Sequence, residues 1–341
     1  MAGGPTTPEL VAAVSAAGAL GSFGFAYTQP ETIQRDAEAV RALTRAPFNL
    51  NFFASTQPDS IPAAAQQGAI AAIGGYYAEL GLPPPEPARA PYAPDLEAQF
   101  AIAAEIRPGV VTFHLGLMSS SWVRRFQSLG IKVGGGATCV AEAEKLQALG
   151  VDFVIVQGAE AGGHRGTHLR DPYDSMTGTF ALVRLIASRV STPVVAAGGI
   201  MDGAGIAAAL ALGAQAVQMG TAFLPCPESG APRVHKEAVL AAREDETLVT
   251  EKYSGKPARG LANRFMREMH AQDAPQLAFP AQSAITGKLR AASAKAGNPD
   301  FVAMWAGQAV ALSRALPAGE LIATLEAETL ECLDRLAALR G

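Results

Sequence analysis

No Cys-X-X-Cys pair occurs in this sequence, and its three cysteines, Cys139, Cys226 and Cys332, are odd in number and widely spaced. That excludes a disulfide framework and a cysteine-built metal centre, and it suits reduced thiols in a cytoplasmic setting with no metal site. A dense Lys/Arg patch is also missing. With 27 Lys and Arg against 31 Asp and Glu, the net charge is −4, which gives no electrostatic reason to expect nucleic acid as a partner. The N-terminus lacks a charged segment followed by an apolar one, so no signal peptide is expected. Charge is absent from residues 203–227, but Gly213, Gln215, Gln218, Gly220, Thr221 and Pro225 interrupt that run. Helix, turn and strand explain it better than a membrane span. What is present is apolar: 49% of the 341 residues are hydrophobic and 17% charged, enough to bury a large core.

Strand and helix patterns alternate along most of the chain. Thr7 is placed to cap a helix with Pro8 at its first position, ending before Gly18. Strands are expected at 20–27, 48–53, 110–116, 132–137, 153–156, 194–199 and 216–220. Helices are expected at 34–43, 63–80, 121–129, 139–149, 180–189 and 205–212. Between 81 and 94 lie six prolines, which make that stretch an extended surface loop. Repeated βα units of this size mean a parallel sheet, either a closed (β/α)8 barrel or an open doubly wound sheet. Seven strands are legible where a closed barrel needs eight. Beyond Phe223 the rhythm is lost, and helices are expected at 235–243, 263–269, 281–296, 299–312 and 319–339.

The chemistry concentrates after the strand Phe153-Val154-Ile155-Val156. The apolar run stops at Gln157-Gly158 and gives way to Glu160, Gly162, Gly163, His164, Arg165 and Gly166. Glycines let backbone N–H groups approach a ligand closely, and a histidine can carry a proton near neutral pH. A second stretch, 193–221, offers glycines at two successive strand ends, Gly198-Gly199 and Gln218-Met219-Gly220-Thr221. In barrels, loops after the last two strands often bind a phosphate through backbone N–H groups. The run Gly203-Ala204-Gly205-Ile206-Ala207-Ala208 only loosely matches a dinucleotide-binding fingerprint, because it starts well beyond the strand end and no acidic residue ends the next strand. Asn49 and Asn51 give the strand at 48–53 one polar face, which suits a ligand at a barrel mouth or a solvated edge. His114 reads as a core histidine and His168 as secondary. His235 and His270 read as surface residues, and Lys252, Arg259 and Lys288 as solvated charges.

Taken together, QGAEAGGHRG, AAGGI and GAQAVQMGTAFL resemble the nitronate monooxygenases, formerly called 2-nitropropane dioxygenases. AGGPTTPELVAAVSAAGALGSFG, NLNFF, YSGKPARGLANRF and FVAMWAGQAV extend the resemblance over essentially the whole chain, and GGHRGT is similar to class I of the family. The resemblance implies an FMN-containing (β/α)8 barrel of the TIM type over 1–222, with its first strand missing from this chain. It also implies a smaller helical domain over 223–298 and C-terminal helices returning to the barrel over 299–341. By resemblance, Asn51 and Gln157 contact the flavin ring system. Gly162, Gly199, Gln218, Met219, Gly220 and Thr221 hold the ribityl chain and phosphate, and His164 is the active-site histidine. The implied reaction oxidises alkyl nitronates, such as propionate 3-nitronate, with O2 to carbonyl compounds and nitrite, with one-electron transfer to the flavin. A base is needed only for neutral nitroalkanes, and His164 is the candidate for it, or else a hydrogen-bond donor to the nitronate oxygen. A monomer or homodimer without nucleic-acid or membrane partners is expected. The competing expectations are an NAD(P)H-dependent quinone or enoyl-thioester reductase of the same superfamily, and a non-catalytic flavin-binding protein. Family members carry a short strand just ahead of the AGGPTTPEL motif. The resemblance therefore implies either a start roughly twenty residues upstream or a gapped barrel with weakened FMN binding.

Overall fold

The computed structural model describes residues 1–340. In chain order it holds α1 (Pro8–Ala16), β1 (Gly21–Gly24), α2 (Pro30–Leu43), β2 (Phe48–Phe53), α3 (Ala63–Glu79), α4 (Leu96–Ile106), β3 (Val110–His114) and α5 (Ser120–Ser128). Next come β4 (Lys132–Ala137), α6 (Val140–Leu149), β5 (Phe153–Gln157), β6 (Gly163–His164), α7 (Thr179–Ala187), β7 (Val194–Ala197), α8 (Gly203–Ala211) and β8 (Ala216–Gln218). The remainder is α9 (Arg233–Ala241), β9 (Thr247–Thr250), β10 (Ala258–Leu261), α10 (Arg264–Ala271), α11 (Ala281–Lys295) and α12 (Ala318–Ala337).

Side-chain caps punctuate the βα units. Thr7 accepts a hydrogen bond from Leu10 N at the start of α1, and Asp202 accepts one from Gly205 N at the start of α8. Gly150 closes α6 in the left-handed conformation, φ +82°. Seven strands form one parallel sheet in the order β1-β2-β3-β4-β5-β7-β8, covered by helices in the manner of a TIM-type α/β fold. No ladder joins β1 to β8 among the described residues, so the sheet curls without closing. An isolated parallel bridge pairs Ala2 with Gly24, and the Met1 side chain lies against Gly220 beyond β8. The first two residues therefore sit between the two sheet edges.

The main core is built from strand residues such as Leu50, Val111, Val133 and Val154 and from helix residues such as Phe126 and Leu146. Glycines 134–136 of β4 make room for rings. Side chains there would run into Phe153, Phe113 and His114.

Three stretches depart from the sequence reading. No helix is expected over 95–107, yet Asp95 caps α4, which buries Phe100 and Ala103. The 223–298 region is not purely helical: β6, β10 and β9 make a second, antiparallel sheet in that order. Strands of two to four residues whose partners lie far away in sequence leave no periodic signal. Residues 299–312 do not form the expected helix, only short 3-10 turns. Their backbone is used elsewhere. Leu261 N donates to Met304 O, Ala306 N to Arg259 O, and Gln308 N to Glu160 O, which holds the segment extended beside β10. A second core cluster joins Ile73 and Tyr77 of α3 to Tyr253, Phe265, Leu289 and Phe301, so the two cores interleave along the chain.

Candidate active site

β5 ends in Gln157 at the C-terminal rim of the parallel sheet, and the Gly-rich loop that follows enters the small sheet. Gly163 and His164 pair with Arg259 and Ala258 of β10. Gln157 fastens the loop on itself. Its Nε2 donates to His164 O at 2.9 Å, and its Oε1 accepts from Gly166 N at 2.8 Å. Arg165 is buried, donating to the Gln157 carbonyl and to Ser175. Glu142 is fully buried and gathers five donors: Thr138 N and Oγ1, Thr167 Oγ1, and the N–H groups of His168 and Leu169. Burial alone would raise its pKa, but those donors outweigh it and hold the carboxyl below its ordinary value.

His164 stands half-buried in an aromatic wall. Phe279, Trp305 and Phe53 lie 5.3, 5.7 and 5.8 Å from its ring, and Tyr27 packs against Phe53 and Phe279. Its Nε2 meets Ser254 Oγ at 2.9 Å. Desolvation in this wall, helped by His114, Lys256 and Arg290, pushes its pKa down from 6.5 to about 3, so the imidazole is neutral at working pH. His114 is wedged between Gly136 and Gly166, where any side chain would strike its ring. Burial lowers it to about 4, which agrees with its reading as a core histidine.

The other proposed ligand residues lie along the same rim. Asn51 on β2 accepts from Thr112 Oγ1 at 3.0 Å, beside the buried Asn49–Thr112 pair. A cleft of about 370 Å³ runs past Glu160, Gly198, Gly199, Gly205 and Gln308. Gly198 and Gly199 there take φ +113° and +72°, a region that favours glycine. The N–H groups of Gly199, Ile200, Gly220 and Thr221 have no acceptor among the described residues. The start of α8 is different, because Asp202 and Glu328 already accept from Gly205 N and Gly203 N. Glu160, the charged residue on the cleft wall, spends its carboxylate on Thr179 N and Oγ1. Thr221 Oγ1 accepts from Gly307 N at 3.0 Å, and Gln218 is exposed beside the half-buried Met219. Gly162 has a packing reason of its own. A Cβ there would lie 2.6 Å from the Ala306 carbonyl carbon and 2.7 Å from Gly307 N.

A sequence model described as nitronate monooxygenase matches residues 1–328. A nitronate monooxygenase from Pseudomonas aeruginosa is 44% identical over 95% of this chain and 93% of its own length. The chain belongs to the nitronate monooxygenase family. A crystal structure of nitroalkane oxidase from Streptomyces ansochromogenes superposes with a TM-score of 0.91 at 39% identity, covering 98% of this chain and 95% of that one. FabK from Thermotoga maritima superposes with a TM-score of 0.77 at 29% identity over 99% of this chain and 93% of its own. Membership fixes the chain as an oxidoreductase of the nitronate monooxygenase type acting on a small molecule. None of its described helices is long and apolar enough to cross a membrane.

Several single-residue readings need correction within this family frame. His235 is buried, with Nε2 unpartnered, and is not a surface residue. Lys252 and Arg259 are not solvated. Lys252 Nζ donates to Ala274 O at 2.6 Å, and Arg259 donates to Ala159 O and Thr247 Oγ1. Lys288 and His270 are exposed as expected. Sequence reasoning missed Ser254, Phe279 and Trp305, which meet His164 from 90 or more positions away along the chain. Only the motif strings YSGKPARG and FVAMWAGQAV hinted at two of them.

Proposed function

We propose that the protein is an FMN-dependent nitronate monooxygenase, oxidising alkyl nitronates such as propionate 3-nitronate with O2 to carbonyl compounds and nitrite. The observation that carries this reading is a neutral imidazole, His164, set in an aromatic wall on the sheet rim that also bears unpartnered N–H groups. The cradle fits a phosphate ester without a cation, since such groups bind well to backbone donors in glycine loops. Gly199, Ile200, Gly220 and Thr221 would hold the FMN phosphate, with Gln218 and Met219 along the ribityl chain. Asn51 would meet the ring system. Gln157 and Gly162 act indirectly, one by clamping the His164 loop and the other by admitting the 306–307 backbone. FMN, when bound, supplies the electron acceptor.

The chain's own residues do the rest. The aromatic wall excludes water and seats the alkyl part of the substrate. Lys256 and Arg290 bias the site toward an anion. With a neutral nitroalkane, His164 takes the α-proton. A cytoplasmic location and a monomeric or homodimeric state complete the proposal.

Acid precipitation of purified protein should release a flavin carrying one phosphate, and propionate 3-nitronate should drive O2 uptake and nitrite release. FabK, a structural relative at 29% identity, keeps a reductase reading in view. Rapid anaerobic bleaching by NADH, without nitrite formation under air, would replace the proposal with that one.

A further inference from the structure

We propose that Ser254 positions His164 as the Nε2–H tautomer, so that Nδ1 is the atom presented to substrate. This rests on the reading of His164 as the base. Ser254 sits between Tyr253 and Gly255 in the turn ahead of β10, with its side chain buried. The turn is fixed from two sides. Ser254 N and Gly255 N both donate to Glu251 O, and α11 holds the neighbouring carbonyls, Thr286 Oγ1 donating to Tyr253 O at 2.7 Å and Gln282 Nε2 to Lys252 O at 2.8 Å. Gly255, at φ +83°, gives the reversal that only glycine makes without strain.

A hydroxyl has one proton and two lone pairs. Ser254 Oγ has three neighbours: the Lys256 carbonyl at 3.1 Å, Lys256 N at 3.4 Å and His164 Nε2 at 2.9 Å. The Lys256 carbonyl is offered no other donor among the described residues, so the hydroxyl proton goes there. The lone pairs then accept from Lys256 N–H and from His164 Nε2–H, and all four groups are satisfied. If the hydroxyl donated to Nε2 instead, the Lys256 carbonyl would lose its one donor among the described residues. Backbone carbonyls in folded chains are rarely left so. In the favoured arrangement Nδ1 keeps a bare lone pair. During abstraction the substrate's α-C–H bond breaks and an Nδ1–H bond forms. The electron pair stays on the substrate as the nitronate, and Nε2–H goes on donating to Ser254.

Long-range proton–nitrogen NMR of the His164 ring reads the tautomer directly, with His164→Asn assigning the signal. The wild type should carry its proton on Nε2, Ser254→Ala should give a tautomer mixture, and Ser254→Thr should restore the wild-type pattern. Ser254→Cys, close in volume but a poor acceptor, should behave like alanine and covers the case in which alanine unsettles the turn. Turnover of a neutral nitroalkane should fall about tenfold or more in Ser254→Ala and recover in Ser254→Thr, while preformed nitronate changes by no more than about twofold. A wild-type proton on Nδ1, an unchanged tautomer in Ser254→Ala, or equal losses on both substrates would overturn the assignment. If the protein oxidises neither substrate, the functional reading fails, and the ring spectrum still decides the part played by Ser254.

Discussion

A base that is never protonated at working pH is always available, but it is weak. Desolvation of His164, joined by His114, Lys256 and Arg290, places its pKa at about 3, far from the operating pH at which a general base works best. With His164 as the proposed base, such a site is better matched to substrates that arrive as anions than to those that must be deprotonated. Replacing His164 by Asn should cost about 10²–10⁴-fold with neutral nitroalkanes and far less with preformed nitronates, as O2 uptake would show. Because the pKa is lowered, the rate with neutral nitroalkanes should hold flat as pH falls through 6.5, where an ordinary histidine would protonate. A decline centred near 6.5 would contradict this environment. His164 was legible in the sequence because a lone His among glycines at a strand end is a local pattern. Ser254, Phe279 and Trp305 were not, because their proximity depends on how α11 and the 299–312 segment cross the rim, and no spacing rule encodes that.

Among the elements, the loops at the strand ends are tied down by buried charge. Glu142, on α6, collects the loop after β4 and the segment 167–169 with a single carboxylate. Changing it to Gln turns one acceptor into a donor that faces donors. The expected loss is on the order of 3 kcal/mol, measured as a lower denaturant midpoint at unchanged slope. A shift of a few tenths of a kcal/mol would mean that these loops hold without it. Such ties explain which elements could be read in advance. β2 and β4 match their expected ranges because dense apolar and glycine runs specify them locally. β9 and β10 have four residues each, and β10 includes Arg and Gly, so only their pairing makes them strands. The 299–312 segment has helix-compatible composition, but its N–H groups are claimed by Arg259 and Glu160.

For the molecule as a whole, buried neutral histidines make acid the weak flank. Burial lowers His235 from 6.5 to about 4. Between those values the unfolded chain binds a proton that the native chain refuses. The stability is complete above 6.5 and drains away as pH falls toward 4, by at most about 1.4 kcal/mol per pH unit for each such group. Melting temperatures should therefore fall between pH 7 and 5, and His235→Phe should make the fall shallower. An unchanged slope would show that His235 takes no part. The parallel α/β class was readable at this scale because repeated βα units are a chain-long signal, whereas the second sheet was not. That sheet also constrains kinetics. The strand carrying His164 is continuous with the loop after β5 but hydrogen-bonded to Ala258 of β10. Loops after barrel strands are commonly the mobile parts that open to let product leave. This one cannot swing out without breaking its ladder and the Gln157 clamp. For the proposed reaction, product leaving past Tyr27, Phe53 and Phe279 would wait on side-chain rotation, which makes its dwell time a property of aromatic rings instead of a hinge.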